Sequence, residues 1–403
     1  MPGPTPQQID RRALQSVAVQ FFANGLVYAT FIPRLPDIRD RVGISIGALG
    51  VVLMLGSIAG LVASLFTGRV IARLGSRRVM IFGAMLSIGS LPIIGFATSP
   101  IMLIVGLVGV LFFDVFIDVA MNVQASALSA RRHTPVINRL HGLWSFGTVA
   151  GGLVTVLLIR FGVSAQQQFV LVAVGLIAAL IFVAPGLLRK DEVPTATVVA
   201  ADERPIESLE ETARHPFGLF SLLLGVGGAT AIVFEATLGD WAAFRLGDDL
   251  GALPGIAGVG FLAYTIGMTL GRFSGDWALT RVGPVHLIRW AAVIAGVGSV
   301  MATLIPFVGV AIAGFLIAGL GSSVLLPQLY DKAARAPGPP GSGFASMLIG
   351  TRSAAVLTPL IVGSLADTAA LSVGQAMAIV LLPSAVIVFL ITLAPTERPN
   401  PIA

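Results

Sequence analysis

About a dozen runs of roughly twenty apolar residues set the limits on what this chain can become. A helix of about 20 residues crosses the hydrocarbon core of a bilayer. In the first half the runs fall near 14–36, 46–68, 79–98, 100–128, 135–159 and 167–188. In the second they fall near 216–240, 253–274, 285–305, 308–329, 342–365 and 373–394. None shows the period-two alternation that a lipid-facing barrel strand requires, so the expected class is all-α integral membrane, with twelve transmembrane helices. Only 11% of the 403 residues are charged, against about 25% in a soluble domain. Such a chain cannot clothe a water-facing surface, and its apolar excess must face lipid.

One long charged stretch, from Arg189 to His215, divides the runs into two sets of six. The expected organisation is a six-helix bundle over 1–188, a cytoplasmic linker over 189–215 and a second six-helix bundle over 216–403. Glu207 to Arg214 reads as a short surface helix within the linker. With the N-terminus in the cytoplasm, nineteen of the 25 Lys and Arg residues fall on the cytoplasmic side and five on the far side: Arg34, Arg39, Arg41, Arg160 and Arg245. This positive-inside bias places both termini in the cytoplasm of a multi-pass cell-membrane protein. Arg272 is counted among the cytoplasmic loop residues, and Arg352 is read as the one basic residue inside a run. Arg11 and Arg12 precede an apolar run too long for a signal-peptide core, so the first segment is expected to stay as a span.

Several function classes are excluded. The formal net charge of +5 comes from short basic clusters between apolar runs, with no aromatic interleaving of the kind that binds nucleic acid. There is no cysteine, and none of His133, His141, His215 and His286 lies three to five residues from another. Thiolate chemistry is thus absent and no metal site or cofactor is expected. No Gly-x-x-x-x-Gly-Lys-Ser/Thr loop is present, so energy must come from a gradient.

The halves repeat. Arg73-Leu74-Gly75 follows the second run and Arg281-Val282-Gly283 the eighth, each in a basic, glycine-containing loop. Internal repeats about a central interface are the usual build of secondary transporters. The loop from Gly68 to Arg78, Gly-Arg-Val-Ile-Ala-Arg-Leu-Gly-Ser-Arg-Arg, resembles the major facilitator signature between the second and third helices. Ala72 stands where that signature has aspartate. The resemblance implies a conformational latch formed by Gly68, Arg73, Gly75, Arg77 and Arg78, with Asp276 and Arg281 as second-half counterparts. The stretches Asp118 to Gln124, His141 to Gly147, and Glu235 with Asp240-Trp241 are similar to a bacterial branch that includes fucose permease. The resemblance implies two pseudo-symmetric six-helix bundles and a sugar-like cargo.

Ionisable groups far from either membrane surface are costly and need a reason. Asp114, Asp118 and Asn122 follow each other at intervals of four and share one helical face. A carboxyl withdrawn from water favours its neutral form, which suits a proton carrier; the bland alternative is a tie to a neighbouring helix. Arg352 needs a counter-charge, and Asp114 or Asp118 is expected to supply it across the cavity. His141 is read either as a proton relay or as a satisfied core group. Glu235 is placed in the outer part of its span, with Asp240 and Trp241 at the far interface, where Trp is an ordinary anchor. Asn24 and Tyr28, one turn apart, bind a hydroxylated solute or tie helices together.

The expectation is therefore a monomeric secondary transporter that works by alternating access on a small molecule, with protons as the coupling ion and the lipid bilayer as its surroundings. The alternative is a proton-antiport exporter of drugs or metabolites. A membrane enzyme or a non-transporting scaffold is more remote, because the polar groups are scattered over several helices.

Overall fold

The computed structural model describes residues 5–193, 219–334, 342–368 and 371–393. Most of the linker lies outside them, including the helix expected over Glu207 to Arg214. Twelve helices among the described residues are long and apolar enough to cross a membrane. They are α1 Gln7–Val42, α2 Ile46–Leu74, α3 Ser76–Gly95, α4 Pro100–Arg132, α5 Ile137–Arg160, α6 Ala165–Gly186, α7 Phe220–Asp240, α8 Pro254–Val282, α9 Pro284–Leu304, α10 Val308–Ala333, α11 Gly343–Asp367 and α12 Val373–Ile391.

Local chemistry explains where several of these begin and end. Ser99 accepts from the Met102 amide and Pro100 opens α4, a position where its missing N–H costs nothing. Ser164 and Gln167 form a reciprocal cap at the start of α6, and Ser372 and Gln375 form the same cap at the start of α12. Some helices outrun their apolar runs. α1 passes Pro33 through a 3-10 turn, Ile32–Arg34, and continues as a short helix, Leu35–Val42. After α7 the chain bends at Trp241 and goes on through a helical turn, Ala242–Phe244, and a π-helical turn, Arg245–Asp249.

The two halves use the same pairings. α1 packs on α5, α2 on α4, α3 on α4 and α3 on α6; in the second half α7 packs on α11, α8 on α10, α9 on α10 and α9 on α12. The joints match as well: Gly75 after α2 has φ 84° and Gly283 after α8 has φ 76°, a region open to glycine and costly for other residues. The halves meet along α2 with α11 and α5 with α8. At the first seam the backbones nearly touch. A Cβ on Gly50 would lie 2.5 Å from the Pro359 carbonyl oxygen, and one on Gly363 would lie 2.9 Å from that of Ile46. Small residues at such crossings let dispersion act between backbones where no hydrophobic force operates.

Polar contacts seal the end where α1 finishes and α2 begins. Arg39 pairs with Asp248 across the halves and lies over the Phe244 ring. Ser45 Oγ donates to Asp367 Oδ2 at 3.0 Å. Behind the seal, two buried arginines tie helix ends together. Arg34 donates to Gln168 on α6 and pairs with Asp37. Arg245 pairs with Asp249 at 3.0 Å and donates to the carbonyls of Ala302 and Ile305, while Asp249 accepts from the amides of Val373 and Gly374. Both side chains of the Arg245–Asp249 pair are more than nine-tenths buried.

Candidate functional site

A cavity of about 340 Å³ lies on the interface, walled by α1, α2, α4 and α5 from one half and α7, α8 and α11 from the other. Its size is within the range of small-ligand sites, about 300–1,000 Å³. Most of the wall is apolar or aromatic, and a few polar groups converge on it.

The first-half wall is a hydrogen-bonded chain. Trp144 Nε1 on α5 donates to Asn24 Oδ1 at 2.8 Å, and Asn24 Nδ2 on α1 donates to Asp114 Oδ1 on α4 at 2.6 Å. One turn along α1 from Asn24, the Tyr28 hydroxyl reaches across the interface and donates to Asp240 Oδ1 at 2.6 Å. The second half supplies Glu235 and Arg272, whose Oε1 and Nη2 are 4.0 Å apart. With 34% and 39% of the arginine and glutamate side chains exposed, water competes strongly for this pair. Arg272 also donates to Ser145 Oγ at 3.4 Å, and its Cζ stands 5.9 Å from the Trp144 ring centre, a cation–π approach. The Tyr264 hydroxyl in the wall is buried and makes no hydrogen bond among the described residues.

Away from the sealed end, a second polar group opens to solvent. Asn122 Nδ2 donates to Asp118 Oδ1 at 3.2 Å, and Asn122 Oδ1 lies 3.2 Å from His141 Nε2. An amide oxygen only accepts, so with this amide orientation Nε2 carries the proton. His141 also packs edge-on against Phe21, centroids 5.2 Å apart. Asp118, His141 and Arg352 are all exposed. No salt bridge joins Arg352 to a carboxylate among the described residues. The ion pair expected between Arg352 and Asp114 or Asp118 is thus not made in this conformation. Asp114 is spent on Asn24, and Asp118 on Asn122.

The structure corrects three placements. Arg272 is no loop residue: it stands within α8, more than two turns before its end, facing Glu235, so Arg352 is not alone inside a span. Asp240 lies in the cavity wall and not at the far interface, because the chain continues in helical turns to Asp249. Trp241, read as an interfacial anchor, is fully buried against Phe244, with centroids 5.5 Å apart. Arg272, Asp240 and Trp144 are the wall residues that the sequence did not single out for this cavity. The available signal was Arg272 itself, a charge within an apolar helical repeat.

The residues named for a latch divide by half. Gly68 is buried in α2, and the Arg73 carbonyl near that helix's end accepts from Lys190 Nζ at 2.9 Å. Gly75, Arg77 and Arg78 line a second cavity at this end of the bundle. In the other half Asp276 is exposed with no ion pair among the described residues, and Arg281 stacks on Trp277 at 5.2 Å. No cluster of three or more His, Asp or Glu fit to hold a metal is present among the described residues.

The family model described as Major Facilitator Superfamily matches residues 17–356. An uncharacterised transporter, y4wD of Sinorhizobium fredii, is 27% identical over 360 residues, covering 88% of this chain and 91% of its own. Among solved structures, the nucleoside transporter NupG superposes with a TM-score of 0.69 at 12% identity, covering 95% of this chain and 98% of its own. The fucose:proton symporter FucP of E. coli superposes with a TM-score of 0.62 at 14% identity, covering 96% and 98%. At these identities the structural likenesses establish the fold.

Proposed function

This chain belongs to the Major Facilitator Superfamily, a family of transporters and not of enzymes, and we propose that it moves a small polar solute, sugar-like in character, across the cytoplasmic membrane by proton-coupled alternating access. The observation that carries the proposal is the interfacial cavity: both halves supply its walls, one end is sealed, and the other leads toward Asp118, Asn122 and His141. A site shared by two bundles changes access when they rock, with no need for the site itself to unfold. The seal lies on the side that the positive-inside bias assigns to the exterior, so the conformation reads as inward-facing.

The wall suits a ring-shaped polyol. The faces of Tyr28, Phe31, Trp144 and Phe261 offer flat apolar surface, and Asp114, Asp240 and Glu235 offer acceptors around the edge. Asp114 and Asp240 each have one oxygen held by a neutral donor, which leaves the other free for a solute hydroxyl. We assign proton exchange to Asp118, the carboxyl on the water-open route, with His141 exchanging protons through Asn122's neighbourhood and Arg352 as the mobile counter-charge. Asp118 protonated would release Arg352; ionised, it would draw Arg352 in. The halves are proposed to divide at the linker over 189–215, with a monomer as the working unit, both termini cytoplasmic and the bacterial inner membrane as the location. The aromatic share of the wall gives the antiport-exporter reading its one specific support.

The test is uptake into proteoliposomes under an imposed pH gradient, with a panel of sugars, nucleosides and amines. Gradient-driven accumulation that is lost in Asp118→Asn, with solute exchange retained, is the expected result. Accumulation that ignores the gradient would remove proton coupling. A variant that accumulates like wild type would clear Asp118.

A further inference from the structure

The second cavity, about 610 Å³, lies between the α2–α3 loop and the segment that leaves α6. Arg77, Arg78, Arg189 and Lys190 line it, with Asp191 as the one acid in its wall. None of the four cations has a salt-bridge partner among the described residues. The reason is legible in the sequence: Ala72 occupies the position at which the major facilitator signature carries an aspartate, so the loop has no internal acid to neutralise its arginines.

The two segments that wall this cavity are joined by a buried side chain just behind it. Gln124 on α4 is fully buried and welds the two walls together. Its Nε2 donates to Ser76 Oγ at 2.9 Å and to the Leu188 carbonyl at 2.9 Å, and its Oε1 accepts from the Leu188 amide at 3.0 Å. The Lys190 stem packs on Gly75, where a Cβ would lie 2.9 Å from that of Lys190, and its ammonium group holds the Arg73 carbonyl. Gly75 has no side chain to cap α3, so the positive end of that helix adds to the field of the arginines. The rim is apolar: Leu74 is 47% exposed and Phe82 is 59% exposed. Positive charge beside greasy surface, at the level where a span leaves the bilayer, matches one class of molecule.

We infer that this cavity binds the phosphodiester headgroup of an anionic phospholipid, with the acyl chains lying along Leu74 and Phe82. The headgroup's charge does for this chain what the missing loop acid does in the signature: it neutralises Arg77 and Arg78 and ties the loop to the α6 exit. The mirror-related loop after α8 has no such cluster, since Pro284, Val285 and His286 follow Gly283 and Arg281 is stacked on Trp277. The inference is independent of what the central cavity carries.

The experiment is native mass spectrometry of the full-length protein in detergent, titrated with phosphatidylglycerol or with phosphatidylcholine. Phosphatidylglycerol is expected to be retained over phosphatidylcholine. Arg77→Gln with Arg78→Gln should weaken its binding about thirtyfold, the combined effect of two basic residues near a charged headgroup. Ala72→Asp, at an exposed position, should weaken it while leaving the fold alone, and Arg281→Gln in the mirror loop should leave it unchanged. Equal retention of the two lipids, or full binding by both loop variants, overturns the inference. So does complete displacement by inorganic phosphate, which would show a site that reads phosphate without the lipid. Binding that emerges only after Glu207, Glu210 and Glu211 are replaced by glutamine overturns it too, because the occupant is then the chain's own acidic segment.

Discussion

A single methyl group at Gly50 should shift the balance between the two access states. A Cβ there meets the Pro359 carbonyl oxygen at 2.5 Å, the Gly363 Cα at 3.2 Å and the Pro359 carbonyl carbon at 3.4 Å. Ordinary contact begins near about 3.5 Å, so Gly50→Ala must part α2 and α11 by close to an ångström. All three obstacles are backbone, and no flexible side chain can swing aside. Overpacking of this kind costs about 1–3 kcal/mol. In alternating access, the penalty falls on the state in which these helices cross tightly and spares the state in which they have separated. The equilibrium should then move by roughly 5- to 150-fold toward opening at the Arg39–Asp248 end. The chain has no cysteine, so a labelled pair needs no background removed. Phe161→Cys at the end of α5 and Leu253→Cys just before α8 are 77% and 70% exposed, and they lie on opposite halves at the sealed end. Pulsed electron resonance between spin labels at this pair should give a dominant short distance, and Gly50→Ala should add a longer one. An unchanged distribution in a folded variant would refute the reasoning, because the crossing would then not be tight or not specific to one state.

Breaking the Arg245–Asp249 pair from one side, with Asp249→Ala, should cost about 3–5 kcal/mol because it strands a buried guanidinium; thermal unfolding in detergent measures this, and a joint Arg245→Met, Asp249→Leu exchange should recover part of it. Glu235→Gln and Arg272→Gln should each weaken solute binding, but a double-mutant cycle should find coupling of no more than about 1 kcal/mol, as expected for a water-exposed pair 4.0 Å apart. Trp144→Phe keeps the ring under Arg272 and removes the donor to Asn24, so stability should fall by about 1 kcal/mol, seen as a lower unfolding temperature with the cavity still able to bind.

The helices were legible because burying a peptide group in lipid leaves few options: length and apolarity alone located all twelve. Their ends were not. Apolar runs stop where polar residues begin, yet α8 continues through Arg272 and Asp276 to Val282, because a helix that faces a hydrated chamber tolerates charge. Treating charge as a sign of a loop misplaced Arg272. The same assumption put Asp240 and Trp241 at a surface, when Arg245 and Asp249 satisfy each other and let the polar segment stay inside. Asp114, Asp118 and Asn122 were found together, since their spacing follows from helical geometry. That Asp114 serves Asn24 while Asp118 serves Asn122 depends on which neighbour α1 and α5 bring close, and no spacing within α4 encodes that.

The knot at Asp249 has a mechanical consequence. One carboxylate holds the first amides of α12 and the guanidinium of Arg245, and that guanidinium holds the carbonyls that close α9. Three helix ends are therefore pinned at one point, as Arg34 pins its own neighbours in the other half. Two blocks stiffened in this way resist bending from within. Whatever displacement carries a passenger through must be absorbed at the seams between the blocks, where glycine faces glycine and little more than a few polar clasps has to let go.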